Sequence, residues 1–287
     1  MNHLKKSLAL ITLAGTFLTQ NLWAQPLKVT SFLAQPDHFG VTSTLIEGEK
    51  DVLLVNAQFS KSEALRLAAN ILDSGKTLNT IFVSYGDPDY YFGLDVFKHY
   101  FPDARIIATP ETVKHIQDTQ ALKVKYWSPM MGGNAPSQII VPQAYTAKTI
   151  NFENEKIEIK GKDELTYLWI PSAKAIVGGI PVSSGIHLWM ADTPTIKERT
   201  AVVQSLESMK ALQPAIVIPA HMAPNAPQGL SAINFSINYL KQYEKAVKNT
   251  QNASELTQLM RTKYPKLQEL GSLDLGAKVV KGEMKWP

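Results

Sequence analysis

A chain of 287 residues with 45% hydrophobic side chains is long enough to bury a large core, and its formal charge of +4 comes without any Lys- or Arg-rich run. Setting aside Lys5 and Lys6 at the start leaves 27 of the 29 basic residues against 25 acidic ones, a balance of +2 that argues against a nucleic-acid or anionic-membrane surface. Cysteine is absent, which excludes disulfides, a thiol nucleophile and a cysteine-linked lipid anchor.

Residues 1–24 read as a secretory signal: Lys5 and Lys6 give a positive start, Leu8 to Leu18 is an apolar run, and Leu22-Trp23-Ala24 precedes a cleavage point at Gln25. The run is short for a bilayer span. Residues 25–287 are therefore expected to form one soluble domain, periplasmic or secreted, with no membrane anchor after cleavage.

Leu27 to Ala34, Val41 to Glu47 and Val52 to Asn56 read as a meander of strands, with Gly48-Glu49-Lys50-Asp51 as a turn. Ser60-Lys61-Ser62-Glu63 predicts a capping box that opens a helix, with Ala64, Leu65, Ala68, Ile71 and Leu72 on its apolar face and Gly75 at its end. Thr80 to Ser84 is apolar on both faces, as an interior strand requires. It delivers Tyr85-Gly86-Asp87-Pro88-Asp89-Tyr90-Tyr91, a strand-to-helix turn of the kind where open α/β folds place ligands.

A helix over Phe92 to Tyr100, a strand over Arg105 to Ala108 and a helix opening at Thr109-Pro110-Glu111 continue the alternation. Met130 to Pro136 reads as a mobile loop placed to act as a lid. Strands resume at Lys148 to Phe152, Lys156 to Lys160, Leu165 to Ile170 and Lys174 to Gly178. A helix over Ile196 to Leu212, a strand over Ala215 to Pro219, a helix after Gly229 and a peripheral helical tail from Ala253 complete the chain. Two meanders each followed by βα units imply a four-layer αββα sandwich, with His38, Tyr85 to Tyr91, His187 and His221 gathered at the cleft between the sheet edges. His99 and His115 fall within helices and are read as surface residues.

This order, together with Thr42-Ser43-Thr44-Leu45-Ile46-Glu47-Gly48, Gly86-Asp87-Pro88-Asp89, Phe92-Gly93-Leu94-Asp95, Trp169-Ile170-Pro171, His187-Leu188-Trp189 and Ile218-Pro219-Ala220-His221, resembles the metallo-β-lactamase superfamily over nearly the whole mature chain. The resemblance implies a His-x-His-x-Asp-His turn, a further His, an Asp after a Gly and a late His, holding one or two zinc ions that activate water. Laid on that turn, this sequence has Tyr85, Asp87, Asp89 and Tyr90, so only the Asp is kept. No histidine lies between His115 and His187 to act as the middle ligand, the bridging acid is replaced at Ile180, and a further acidic position reads Asn56. His221 matches the late ligand.

A phenol with a pKa near ~10 is a poor zinc ligand at neutrality, and an isoleucine cannot bridge two cations. The metal motif is thus degenerate, and no cofactor is expected beyond one weakly bound divalent ion at Asp87, Asp89 and His221. The residues also have local readings: Asp87 as a turn carboxylate, Asp89 as a helix cap, the tyrosines as core, and His38, His187 and His221 as structural side chains. No Gly-x-Ser-x-Gly elbow, phosphate loop or dinucleotide motif is present. The expected function is that of an exported pseudoenzyme binding a small ligand in a cleft formed by His38, Tyr85, Asp87, Asp89, Tyr90, His187 and His221. The alternative is a hydrolase of ester, lactone, lactam or phosphoester bonds, with Asp87, Asp89, His187 and His221 as catalytic candidates.

Overall fold

The computed structural model describes residues 27–35 and 38–286, so the signal segment lies outside the described residues. Strands β1 (Lys28–Leu33), β2 (Thr42–Glu47) and β3 (Asp51–Val55) form the expected antiparallel meander. Helix α1 (Lys61–Asp73) opens on Ser60, whose hydroxyl accepts the Glu63 N–H, while the Glu63 carboxylate turns to Arg66 instead of closing the box. Its buried stripe is Ala64, Leu67, Ala68 and Ile71; Leu65 and Leu72 are 41% and 55% exposed, because the stripe at 3.6-residue spacing passes through Leu67 and leaves them to either side.

Strand β4 (Thr77–Val83) runs parallel to β3 and feeds helices α2 (Pro88–Tyr91) and α3 (Leu94–Tyr100). Strand β5 (Arg105–Ala108), helix α4 (Pro110–Met131) and the two-residue strand β6 (Gln143–Ala144) complete a six-stranded sheet of order β1-β2-β3-β4-β5-β6. The stretch expected as a lid is instead the last turn of α4 followed by a 3₁₀ turn at Gly132–Asn134. That turn and the residues after it are fastened to α1 and α3: Asn134 accepts the Ser62 N–H, Lys61 reaches the Ser137 hydroxyl at 2.7 Å, and Asp95 of α3 accepts the Ser137 N–H at 2.7 Å. Neither Met130 nor Met131 faces the cleft.

In the second half, β7 (Thr149–Phe152), β8 (Glu155–Lys160), β9 (Tyr167–Ile170) and β10 (Ala175–Val177) form an antiparallel run. After β11 (Ser183–Ser184) and helix α5 (Ile196–Ala211), strand β12 (Ile216–Val217) joins β10 in parallel, giving the order β12-β10-β9-β8-β7. Strand β13 (His221–Met222) pairs with β11, and helices α6 (Leu230–Lys248), α7 (Ala253–Lys263) and α8 (Leu270–Val280) close the chain. No described helix is long and apolar enough to cross a membrane.

Three apolar clusters define four layers. Leu53, Val55, Phe82 and Ile107 from the first sheet meet Ile157, Leu168, Ile170 and Val177 from the second, a dry interface between two sheets. Leu54, Ile81 and Val83 face α1, α3 and α4 on one side, and Trp169, Ile176 and Val217 face α5 and α6 on the other. Strands β3 and β4 therefore bury both faces, which is why they read as unbroken apolar runs.

The halves are stitched together where β2 begins. Thr42 N–H donates to the Ala220 carbonyl at 2.9 Å, and Met222 N–H donates to the Gly40 carbonyl at 2.8 Å. Gly40 has φ of +56°, and a Cβ there would lie 2.3 Å from the Met222 carbonyl oxygen, so only glycine lets the strands approach. Gly40→Ala is expected to cost about 2 kcal/mol of folding free energy, read from urea denaturation. An unchanged midpoint would show that the stitch does not constrain the halves.

Candidate functional site

The ends of β4 and β13, the segment after β11, the middle of α4 and the end of the chain surround a cavity of about 130 Å³. Tyr85, Asp87, Asp89, His187 and His221 line it, as the sequence placed them. Tyr90 lies just behind, fully buried, with its hydroxyl 2.8 Å from His221 Nε2. His38 is the exception: it forms a turn before β2, its N–H donating to the Gln35 carbonyl and its carbonyl accepting from Val41, and it does not line the cavity.

His221 is fixed from both sides. Its Nδ1–H donates to the Phe39 carbonyl at 3.0 Å, and its Nε2 faces Asp89 Oδ2 at 3.0 Å. Burial disfavours the imidazolium, but the Asp89 hydrogen bond and charge, with the Phe39 carbonyl and Glu269, outweigh it and hold the pKa above the usual 6.5. Asp89 thus faces the His221 ring; it makes no cap to α2, and neither does Asp87.

Asp87 meets a residue the sequence reading missed. Lys123, on α4 and 2% exposed, puts its ammonium 3.1 Å from Asp87 Oδ1 and 3.7 Å from Asp192 Oδ1. The contact with Asp87 is an ion pair without hydrogen-bond alignment. Burial and the charge of Asp192 push the Asp87 carboxyl up to about 8, with Lys123 opposing the rise. For Lys123 burial disfavours the charge, yet Asp87 and Asp192 more than compensate and keep its pKa above 10.5. The ammonium stays charged, and Asp87 is the member of the pair that gains or loses a proton.

Lys123 was findable: with Thr112, Val113 and Ile116 it continues the buried stripe of α4, a lysine where helical spacing calls for an apolar residue. Its ammonium also lies 5.0 Å from the ring centre of Trp286, whose indole N–H donates to Asp192 Oδ1 at 2.9 Å. Trp189 donates to the other Asp192 oxygen. Trp127 packs edge-on against Phe39 and Phe59 and lies 6.3 Å from Trp286, completing an aromatic wall. The tail read as peripheral therefore supplies part of the cleft.

His115, read as a surface residue, is a second correction. Its Nδ1 pairs with Glu164 at 2.7 Å and its Nε2 approaches Asp87 to 3.9 Å. The hydrogen bond to Glu164 raises its pKa despite burial. Gly86 makes room for it, since a Cβ there would come within 2.7 Å of the ring. Asn56, at the position where the resemblance expects an acid, accepts the Ser84 N–H and hydroxyl at 2.9 and 3.0 Å and ties β3 to β4.

This donor set does not fit a divalent ion. Asp87 and Asp89 already face Lys123 and His221, and burial, with nearby carboxylates, holds the Tyr85 and Tyr90 phenols protonated well above their usual range. Ile180 contributes an apolar wall, and among the described residues no three His, Asp or Glu side chains converge to hold a metal.

No family model matches the chain, and no curated protein matches its sequence. Its structure is similar to that of a metallo-beta-lactamase family protein from Thermus thermophilus, with a TM-score of 0.66, 11% identity and coverage of 89% of this chain and 91% of that one. It is also similar to a beta-lactamase domain protein from Burkholderia ambifaria, with a TM-score of 0.59, 12% identity and coverage of 88% and 84%. The chain has the metallo-β-lactamase fold, a four-layer αββα sandwich.

Proposed function

We propose that this protein binds a small ligand in the cleft and does not carry out metal-dependent hydrolysis. One observation carries the reading: each carboxyl group of the β4–α2 turn already faces a basic side chain of the protein itself, Asp87 the Lys123 ammonium and Asp89 the His221 ring. A divalent ion would have to displace an ammonium held by two carboxylates and an aromatic face, and among the described residues no three His, Asp or Glu side chains converge to receive it. The fold by itself specifies no chemistry. The cavity and its aromatic walls support ligand binding, and the leader at Lys5 to Leu18 supports export to the periplasm or beyond.

The test is metal content of the purified protein by plasma mass spectrometry, with calorimetric titration of zinc, manganese and calcium into chelator-treated protein. The expected result is less than a tenth of an equivalent of metal and no saturable heat. Near-stoichiometric metal that is lost in Asp89→Asn and His221→Ala would overturn the proposal and restore the hydrolase reading.

A further inference from the structure

We propose that Trp286 is a tethered occupant of the cleft, standing in for a neutral, electron-rich heteroaromatic ligand that carries one ring N–H, of the indole class; this inference rests on the ligand-binding reading above. The Trp286 ring is received by residues of two other elements, helix α4 and the loop after β11. Asp192 Oδ1 accepts its N–H at 2.9 Å, and the Lys123 ammonium lies 5.0 Å from its ring centre. Tyr126 and Trp189 pack edge-on at 5.2 Å between ring centres, and Trp127 does so at 6.3 Å. An acceptor, a cation on the ring face and three aromatic partners together form a receptor for an indole, and the segment after α8 contributes only the ring.

Groups other than Trp286 hold that receptor in place. Trp189 donates its indole N–H to the second Asp192 oxygen, and Lys123 stands between Asp87 and Asp192 at 3.1 and 3.7 Å. The tether is anchored elsewhere. Lys281 donates to the Val247 and Thr250 carbonyls at 2.8 and 2.5 Å, Glu283 accepts the Ala253 N–H at 2.7 Å, and the Glu283 and Met284 N–H groups meet the Lys278 carbonyl. Beyond Met284, among the described residues, only the indole of Trp286 fastens the segment. Undocking therefore gives up the ring contacts and one hydrogen bond, and leaves the anchors of the segment intact.

The chemistry of the receptor defines the ligand class. The Asp192 oxygen calls for an N–H donor, which disfavours a hydrocarbon ring or one whose nitrogen only accepts. An ammonium against the ring face favours an electron-rich π-system and repels a cationic ring. An anionic ligand would meet Asp87, Asp89 and Asp192 along the same cavity. The cavity of about 130 Å³ that Trp286 borders leaves room beyond the ring for a small substituent. A free ring competes with the tethered one, so its apparent affinity is reduced by the fraction of protein in which Trp286 is undocked.

Indole is the probe, with 1-methylindole as the ring that lacks the donor. Calorimetry should show Trp286→Ala binding indole saturably in the millimolar range or tighter. The unmodified protein should bind it at least roughly tenfold more weakly, since an undocked fraction of about a tenth lowers the apparent affinity by that factor. For the variant, 1-methylindole should be roughly tenfold weaker than indole, the equivalent of one hydrogen bond. In the ¹⁵N-labelled unmodified protein, where added indole is silent, the Trp286 indole N–H resonance should move toward that of a solvent-exposed tryptophan; this measurement needs no variant. The inference is overturned if folded Trp286→Ala binds no indole, or if it and the unmodified protein bind indole equally. Equal binding of 1-methylindole overturns it too, as does indole binding that leaves the Trp286 resonance in place. Metal binding in the preceding titration would instead remove the reading on which it rests, so the two failures are distinguishable.

Discussion

Lys123→Met is expected to lose about 3 kcal/mol of folding free energy at pH 9 and roughly 1 kcal/mol at pH 6. Methionine keeps most of the stem that crosses the cleft wall and deletes only the charge, so the loss reports the ion pair. At pH 9 the variant, lacking the cation that lowers the Asp87 pKa, must either hold Asp87 and Asp192 as facing carboxylates or keep Asp87 protonated, and either way it forfeits the ion pair of the unmodified protein. At pH 6 Asp87, already held up to about 8, takes a proton and the repulsion disappears. Urea denaturation at the two pH values measures both numbers. Asp87→Asn in the same chain should restore most of the loss at pH 9, because it removes the charge that lacked a partner. Equal losses at both pH values, or no rescue, would mean that Lys123 stabilises through packing of its stem.

The unmodified protein should also lose stability as pH rises above 6.5, by about 2 kcal/mol from Asp87 alone between pH 6.5 and 8.5. Asp87 titrates near 8 when folded against an ordinary 3.8, so between those values the folded state keeps a proton that the unfolded chain has released. Stability then falls with pH. His115 and His221 have folded pKa values above 6.5, so their stabilisation is complete below 6.5 and lost as pH climbs through the folded values. His187 acts in the opposite sense: with its pKa pushed down to about 4, its contribution is present above 6.5 and lost as pH falls toward 4. Below 6.5 the slopes of Asp87 and His187 oppose each other; above it Asp87, His115 and His221 add, each on the order of 1 kcal/mol per pH unit within its window. Denaturation midpoints from pH 6 to 9 would refute this if they were flat or rose. In Asp87→Asn the slope should become shallower by that residue's share.

The scaffold was legible because its signals are local. Strands β3 and β4 announce themselves as continuous apolar runs, α1 by Ser60 and its stripe, and α4 by Thr109 and Pro110. Errors at this level have equally local causes. Gly132 and Gly133 suggested a loop through Met130, but Pro129 lies in the last turn of α4 and does not end the helix before Met131. The two-residue strands β6, β11 and β13 are too short to carry any period, and they exist because neighbouring segments offer unpaired backbone groups.

The site was half legible. Asp87, Asp89, His187 and His221 stood out as polar residues in apolar or turn contexts, and the resemblance told where to look. Their partners did not stand out, because an ion pair such as Lys123 with Asp87 joins residues 36 positions apart, and His221 with Asp89 joins residues 132 apart. His38 is the converse case: a histidine beside the site in sequence terms whose backbone serves a turn. Trp286 carried no local signal at all, since its role depends on where α8 ends.

Trp127, Trp189 and Trp286 make up three of the five tryptophans of the chain, and all three border one cavity. Their indoles are close enough to exchange excitation energy, with 5.2 Å between the ring centres of Trp189 and Trp286 and 6.3 Å between those of Trp127 and Trp286. The near-ultraviolet optical activity and the emission of the native protein are consequently weighted toward the cleft. Any occupant or charge change there writes itself into the intrinsic spectrum, which makes the molecule its own label-free optical sensor.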